Sequence, residues 1–225
     1  MSGRGEGALR PLVTKYSHLL HASGYVANHD GNISVRLSDQ TRFLATPTAM
    51  SKREVAPYDL VIVDEGGKIL SGRRRLFSEW NLHAACFRAR PDVQVVMHAH
   101  PVHATALGLT RHGLGVPALP EMLVSLGANI PLLEYAMPKS PAQEKALAEA
   151  LTMGDADAAL LAGNGVIVVG VDLEQAFLRL ELIEHYARML AAARSFGDVQ
   201  PLPDADVERL LQARTKAGLG RAGRN

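Results

Sequence analysis

"SEWNLHAACFRARPDVQVVMHAHPVHATAL", residues 78–107, packs three elements and most of the chain's distinctive chemistry into one stretch. Ser78 suits the N-cap of a helix running through "EWNLHAACFRAR", which Pro91 ends. "VQVVMHA" then reads as a buried strand, and Pro101 suits the first turn of a further helix. Residues i and i+2 of a strand project from one face, so His98 and His100 point the same way. Two such imidazoles can share one divalent ion, although the spacing equally suits two satisfied histidines at a strand end. Glu79 opens the preceding helix, where a carboxylate is favoured by the macrodipole. Near an ion it would instead serve as ligand or base. His83, one turn on, and His103, after Pro101, read as packing or supporting histidines.

Working outward, "ALRPLVTKYSHLLHASGYV" has helical apolar spacing with a stop at Gly24. "NISVRL" and "TRFLAT" form one expected hairpin, and "DLVIVD" with "KILSG" a second. Downstream come a helix over "SPAQEKALAEALT" and two strands about Gly163-Asn164-Gly165. A long helix follows from about Leu173 to Arg194, then a short amphipathic one, "VERLLQARTKA". Early hairpins interleaved with helices predict an α/β fold with a mostly antiparallel sheet. The expected division is one domain over 1–200 and a C-terminal extension over 201–225, a short helix and a flexible tail.

Composition narrows the function. The chain has 225 residues, 47% of them hydrophobic, enough for a full core. Its 24 basic and 23 acidic residues nearly cancel, which argues against nucleic acid or an anionic membrane as partner. Only Arg73-Arg74-Arg75 is densely basic, a solvated loop or an anion contact. No apolar run approaches the ~20 residues that span a bilayer, and the first residues lack a signal-peptide core. The single cysteine, Cys86, reads as a small core residue. A soluble cytoplasmic protein is expected. Gly31, Asn32 and Ser34 in "DGNISVR", and Thr46, Thr48 and Ser51 in "ATPTAMSK", offer turn N–H groups and hydroxyls that suit either a plain turn or an anionic oxygen.

Taken in order, "DGNISVR", "TPTAMSK", the 78–107 block, "LLAGNGVIVVGVDLEQAF" and "ELIEHYARM" resemble the class II aldolase/adducin family from about residue 8 to 195. The resemblance implies a three-layer α/β/α sandwich around a mostly antiparallel sheet, assembled as a homotetramer with active sites at subunit interfaces. It also implies a zinc ion, or another divalent metal such as manganese or cobalt, on His98 and His100, with Glu79 as acid/base. The implied activity is a metal-dependent lyase that breaks or forms a C–C bond of a hydroxy-carbonyl substrate through a metal-stabilised enediolate. Its acid/base needs a pKa raised toward neutrality.

Three departures qualify that resemblance. The third-histidine position carries Asn164, a weaker zinc ligand, with His185 a remote substitute. The phosphate-binding pattern maps onto Gly31, Asn32, Thr48, Ala49, Phe77 and Ser78, where Ala49 replaces a glycine and Phe77 a hydroxyl. A non-phosphorylated substrate with an apolar part beside Phe77 follows as an expectation. Glu121, in "PALPEMLVSLG", falls where relatives place a second catalytic group, and otherwise reads as an interface loop carboxylate. The alternatives are a dehydratase or decarboxylase acting on a hydroxy or keto acid, and a non-catalytic adducin-like scaffold.

Overall fold

The computed structural model describes residues 5–137, 139–153 and 156–220. Along the chain these form α1 (Glu6–Ala22), β1 (Asn32–Arg36), β2 (Arg42–Ala45), β3 (Val61–Asp64), β4 (Ile69–Ser71), α2 (Trp80–Ala89), β5 (Val95–Ala99) and α3 (Val102–Leu109). Then come α4 (Pro120–Leu126), β6 (Leu132–Leu133), α5 (Pro141–Met153), β7 (Ala158–Leu161), β8 (Val166–Gly170), α6 (Leu173–Ala193) and α7 (Asp204–Lys216). Among the described residues the strands build one sheet in the order β4-β3-β2-β1-β5-β8-β7-β6. Every pairing is antiparallel except β6 with β7.

Period-2 alternation splits each strand between two cores. Ile33, Val95, Met97, Ala99, Val166 and Val168 face α1, α3, α4 and α6, where they meet Leu20, Ala104, Leu126, Leu180 and Ile183. Phe43, Val61, Val63, Val96, Ile167 and Val169 face α2 and α5, against Trp80, Phe87, Leu147 and Leu151. Leu147 and Leu151, one helical turn apart, are fully buried, each contributing about 1.5–3 kcal/mol by leaving water. The result is the expected three-layer α/β/α sandwich with a mostly antiparallel sheet.

The two expected hairpins are present, the second with an irregular register at Ile62/Val63. Two elements lacked a periodic signal: α4, seven residues starting at Pro120, and the two-residue β6. Ser78 does not cap α2. Glu79 holds the N-cap position instead, and its side chain makes no cap bond.

The C-terminal helix α7 is fastened to the domain through Arg214, which is 2% exposed. Its guanidinium donates to Val124 O at 3.1 Å, Ser125 O at 2.7 Å and Asp157 Oδ2 at 2.6 Å. Asp157 also pairs with Arg179 and, at 3.0 Å, with Arg90. Four buried charges thereby join the C-terminal ends of α2 and α7, the start of β7 and the second turn of α6. The flexible tail expected over the last residues lies, from 221 on, outside the described residues.

Candidate active site

Sheet pairing assembles the site at one end of the central strands. Asn32, the first residue of β1, sits directly opposite His98, and Ala99 opposite Val166 of β8. His98 shares the face of Val96 and is 1% exposed. Its Nδ1 lies 3.1 Å from Val166 O, so Nδ1 carries the hydrogen and Nε2 is left as the lone-pair nitrogen. His100 lies just beyond the strand, with its N–H donating to Tyr25 O at 2.8 Å. Its Nδ1 is 3.4 Å from Asp30 Oδ2. The two Nε2 atoms converge to 3.1 Å.

Both imidazoles present Nε2 to one point, His98 fixed through Nδ1 by Val166 O and His100 with the Asp30 carboxylate near its Nδ1, an arrangement that suits a metal-binding pair. Metal–nitrogen bonds of ~2.0–2.1 Å at a tetrahedral angle place the nitrogens roughly 3.3 Å apart. The pair therefore fits a divalent ion. Glu79 Oε2, 3.6 Å from His98 Nε2, supplies an adjacent anionic oxygen. Among the described residues no three His, Cys, Asp or Glu side chains are already gathered as a complete ligand set.

Glu79 is held from both sides. Asn164 Nδ2 donates to Oε1 at 2.8 Å and Asn32 Nδ2 to Oε2 at 3.2 Å. Burial works to raise the pKa of this carboxyl, yet His98 and the two amides outweigh burial and leave it below the ordinary value. The raised pKa expected of an acid/base is thus not the resting condition: Glu79 rests as a carboxylate. Asn32 is itself aligned by His83, whose Nε2 lies 2.5 Å from Asn32 Oδ1 and whose Nδ1 lies 2.6 Å from Ser34 Oγ. Burial above all pushes His83 down to about 3, so its ring is neutral and hydrogen-bonded at both nitrogens.

Glycine is demanded at two turns. At Gly165, with φ +72°, a Cβ would stand 2.3 Å from Ala99 O and 2.5 Å from His100 Cδ2. At Gly31, with φ +69°, it would meet Val26 Cγ1 at 2.4 Å and His98 O at 3.0 Å. These close approaches bring Asn164 and Asn32 up to the histidines.

Beside Glu79 a cavity of about 520 Å³ is lined by, among others, Thr48, Arg75, Phe77, Ser78 and Lys139. The bridge between Pro47 and Leu76, and Thr48 N–H donating to Arg75 O at 3.0 Å, close its rim. Of the three consecutive arginines, Arg74 is spent on Asp59 at 2.9 Å while Arg75 lines the cavity. Phe77 is only 7% exposed and rests on Trp80 and His83, at ring-centroid distances of 6.1 and 4.8 Å. Most of its ring belongs to the core, and only an edge is left on the cavity lining for an apolar part of a substrate. Ala49 keeps the left-handed φ of +55° that a glycine would hold without strain.

Other candidates do not join this site within one chain. Glu121 opens α4 beside Asp172 and Glu174, at the opposite end of the sheet from His100. His185 is exposed on α6. Its neighbour Glu184 is the residue that reaches inward, accepting from His103 N–H and Ala104 N–H at the start of α3. Cys86 is fully buried, and burial pushes its thiol far up, so it is inert. Sequence reasoning missed Asp30, Glu184 and Lys52. Asp30 opens "DGNISVR" and Lys52 ends "ATPTAMSK" without matching any ligand spacing, and Glu184 is legible only once α6 lies across α3.

The sandwich thus sets convergent imidazoles that fit a divalent ion at a central strand end, beside a carboxylate that heads the preceding helix. The model of the class II aldolase and adducin N-terminal domain matches residues 12–191. L-fuculose phosphate aldolase of Escherichia coli K12 is 31% identical over 84% of this chain and 86% of its own length. The 3-oxo-tetronate 4-phosphate decarboxylase of Escherichia coli O6:H1 is 32% identical over 82% and 87%. The crystal structure of Escherichia coli YgbL superposes with a TM-score of 0.83 at 28% identity, covering 92% of this chain and 99% of that one. The chain belongs to the class II aldolase and adducin family, and it is a lyase of the aldolase type.

Proposed function

We propose that this protein cleaves or forms a C–C bond of a small hydroxy-carbonyl compound with an anionic end, using a divalent cation, zinc, manganese or cobalt, on His98 and His100. The observation that carries this reading is the convergence of both Nε2 atoms to 3.1 Å beside the Glu79 carboxylate. A cation there would take up negative charge developing on the substrate's carbonyl oxygen. Glu79, ionised at rest, accepts the proton of the hydroxyl on the carbon being released. The bonding pair then moves toward the carbonyl, and Glu79 returns the proton at carbon. Asn164 and Asn32 hold the carboxylate in line for both transfers. Thr48, Ser78 and Arg75 receive the anionic end. A phosphate ester fits this lining better than the unphosphorylated acid read from Phe77, and the phosphates in the relatives' names agree.

Decarboxylation is the second reading, favoured by the decarboxylase relative and by Asn164 in place of a histidine. Homotetrameric assembly, with sites at subunit interfaces to which Glu121 of a neighbouring subunit contributes, and a cytoplasmic location complete the proposal. Among the described residues no helix is long and apolar enough to cross a membrane.

The test is metal analysis of protein purified without chelator, followed by a screen of ketose phosphates, 3-oxo acid phosphates and their unphosphorylated counterparts. We expect one bound divalent ion per chain and turnover of a phosphate ester. Glu79→Gln should keep the metal and lose about 10²–10⁴ in kcat. Protein that holds no metal and gains no activity on adding zinc, manganese or cobalt would overturn the reading.

A further inference from the structure

Lys52 is a buried cation for which the proton chemistry has no use. It is 1% exposed, and its ammonium lies 3.1 Å from Met50 O and 3.4 Å from His29 O. Burial pushes it down to about 8 against the opposing pull of Asp30. Removing an ammonium from water is costly, so the contacts it makes must need it.

Those contacts are specific. His29 lies in the turn that leads into β1, and Met50 in the turn that leaves β2, with Thr46 N–H bonded to Ile33 O where the two strands meet. Each carbonyl belongs to a turn that holds left-handed backbone close by. Asn28 at φ +45° precedes His29 and Gly31 at φ +69° follows two residues on, and Ala49 at φ +55° precedes Met50. Left-handed non-glycine residues persist only where the surroundings over-determine them. Asp30 is the next residue after His29. It accepts from Ala27 N–H at 2.6 Å and reaches His100 at 3.4 Å.

We propose that Lys52 is a positioning residue, its ammonium drawing the 28–31 and 47–50 turns to one point and so fixing the substrate mouth at Thr48, which lines the cavity beside Glu79. A single cation shared by one carbonyl from each turn links the two turns to each other, whereas a bond such as Ala27 N–H to Asp30 Oδ1 acts within one turn. The same grip steadies the backbone that presents Asp30 to His100. The link to substrate rests on the function proposed above, whereas the clamp itself does not.

Lys52→Met keeps the length and apolar volume and removes the charge; Lys52→Arg keeps the charge. Hydrogen exchange of the metal-free protein, read on peptides covering the two turns, should speed up about tenfold in Lys52→Met, with α6 peptides unchanged. Lys52→Arg should recover part of the protection. Adding Ala49→Gly to Lys52→Met should recover protection in the second turn alone, because it relieves the strain the clamp opposes. In steady-state assays of the metal-loaded enzyme, Lys52→Met should raise KM about tenfold with kcat nearly unchanged. Wild-type exchange in both turns, or an equal acceleration across α6, overturns the clamp. Faster turns with an unchanged KM overturn its role at the substrate mouth. If no substrate is found, the proposed function fails while exchange still decides the clamp.

Discussion

Asn164 shows how one side chain changes its meaning once its neighbours are known. Read against a histidine pattern it is a poor zinc ligand, but in the fold its amide donates to Glu79 and orients that carboxylate. Both roles predict the outcome of Asn164→His. An added imidazole at this turn should tighten zinc by about tenfold or more, measured by chelator competition, while kcat falls because Glu79 loses a donor. Unchanged zinc affinity would show that the Gly163–Gly165 turn does not reach the ion. His83 carries a second residue-scale prediction. Its pKa is about 3 when folded against 6.5 for the free side chain, so between these values the unfolded chain binds the extra proton. The stability that His83 contributes is therefore complete above pH 6.5 and is lost as the pH falls from 6.5 toward 3. Urea titrations across that range should show a flatter slope for His83→Gln than for the wild type.

Single elements are held in place by groups distant in sequence. α3 begins immediately after the His98–His100 strand end, and its first N–H groups have no side-chain cap from their own segment. Glu184, 4% exposed on α6, supplies the missing acceptor to His103 and Ala104 and also pairs with His103 Nδ1 at 2.7 Å. An anion at a helix N-terminus is electrostatically favoured, and here it also spares buried donors from going unsatisfied. Glu184→Ala should cost roughly 2 kcal/mol of stability and weaken metal binding, because His100 loses the firm start of the helix that follows it. Denaturation midpoints and chelator competition on the same variant test both effects; a wild-type midpoint would contradict the cap. The helical periodicity of α6 was plain in the chain, but which of its carboxylates faces inward depends on its packing against α3.

For the whole molecule, the Asp157 cluster ties α2 on one face of the sheet to α6 and α7. One carboxylate at 0% exposure meets Arg90, Arg179 and Arg214, and Arg90 adds a bidentate pair with Asp92 at 2.8 Å. Removing the shared anion leaves buried guanidiniums with too little counter-charge. Asp157→Ala should therefore destabilise by about 3–5 kcal/mol. Arg214→Met should loosen α7 and α4 together, visible as faster hydrogen exchange in both helices and not in α5. If α7 were an independent extension, α4 would be unaffected.

Period and punctuation in the chain carried a great deal: the two hairpins, α1, α2, α5, α6, the β7–β8 pair and the shared direction of His98 and His100. Those features depend on local rules, namely alternation along strands, 3.6-residue spacing along helices, and turn residues at the breaks. Tertiary structure alone decided that Asn32 and Asn164, 47 and 85 residues away from Glu79, would clasp it. It also placed Asp30 behind His100, folded Phe77 into the core, and left Glu121 at the far end of the sheet. The physical reason is the antiparallel register of β1, β5 and β8. A shift of one residue would turn His98 to the other face and carry the asparagines out of reach, and that register is set by both cores at once rather than by any single segment.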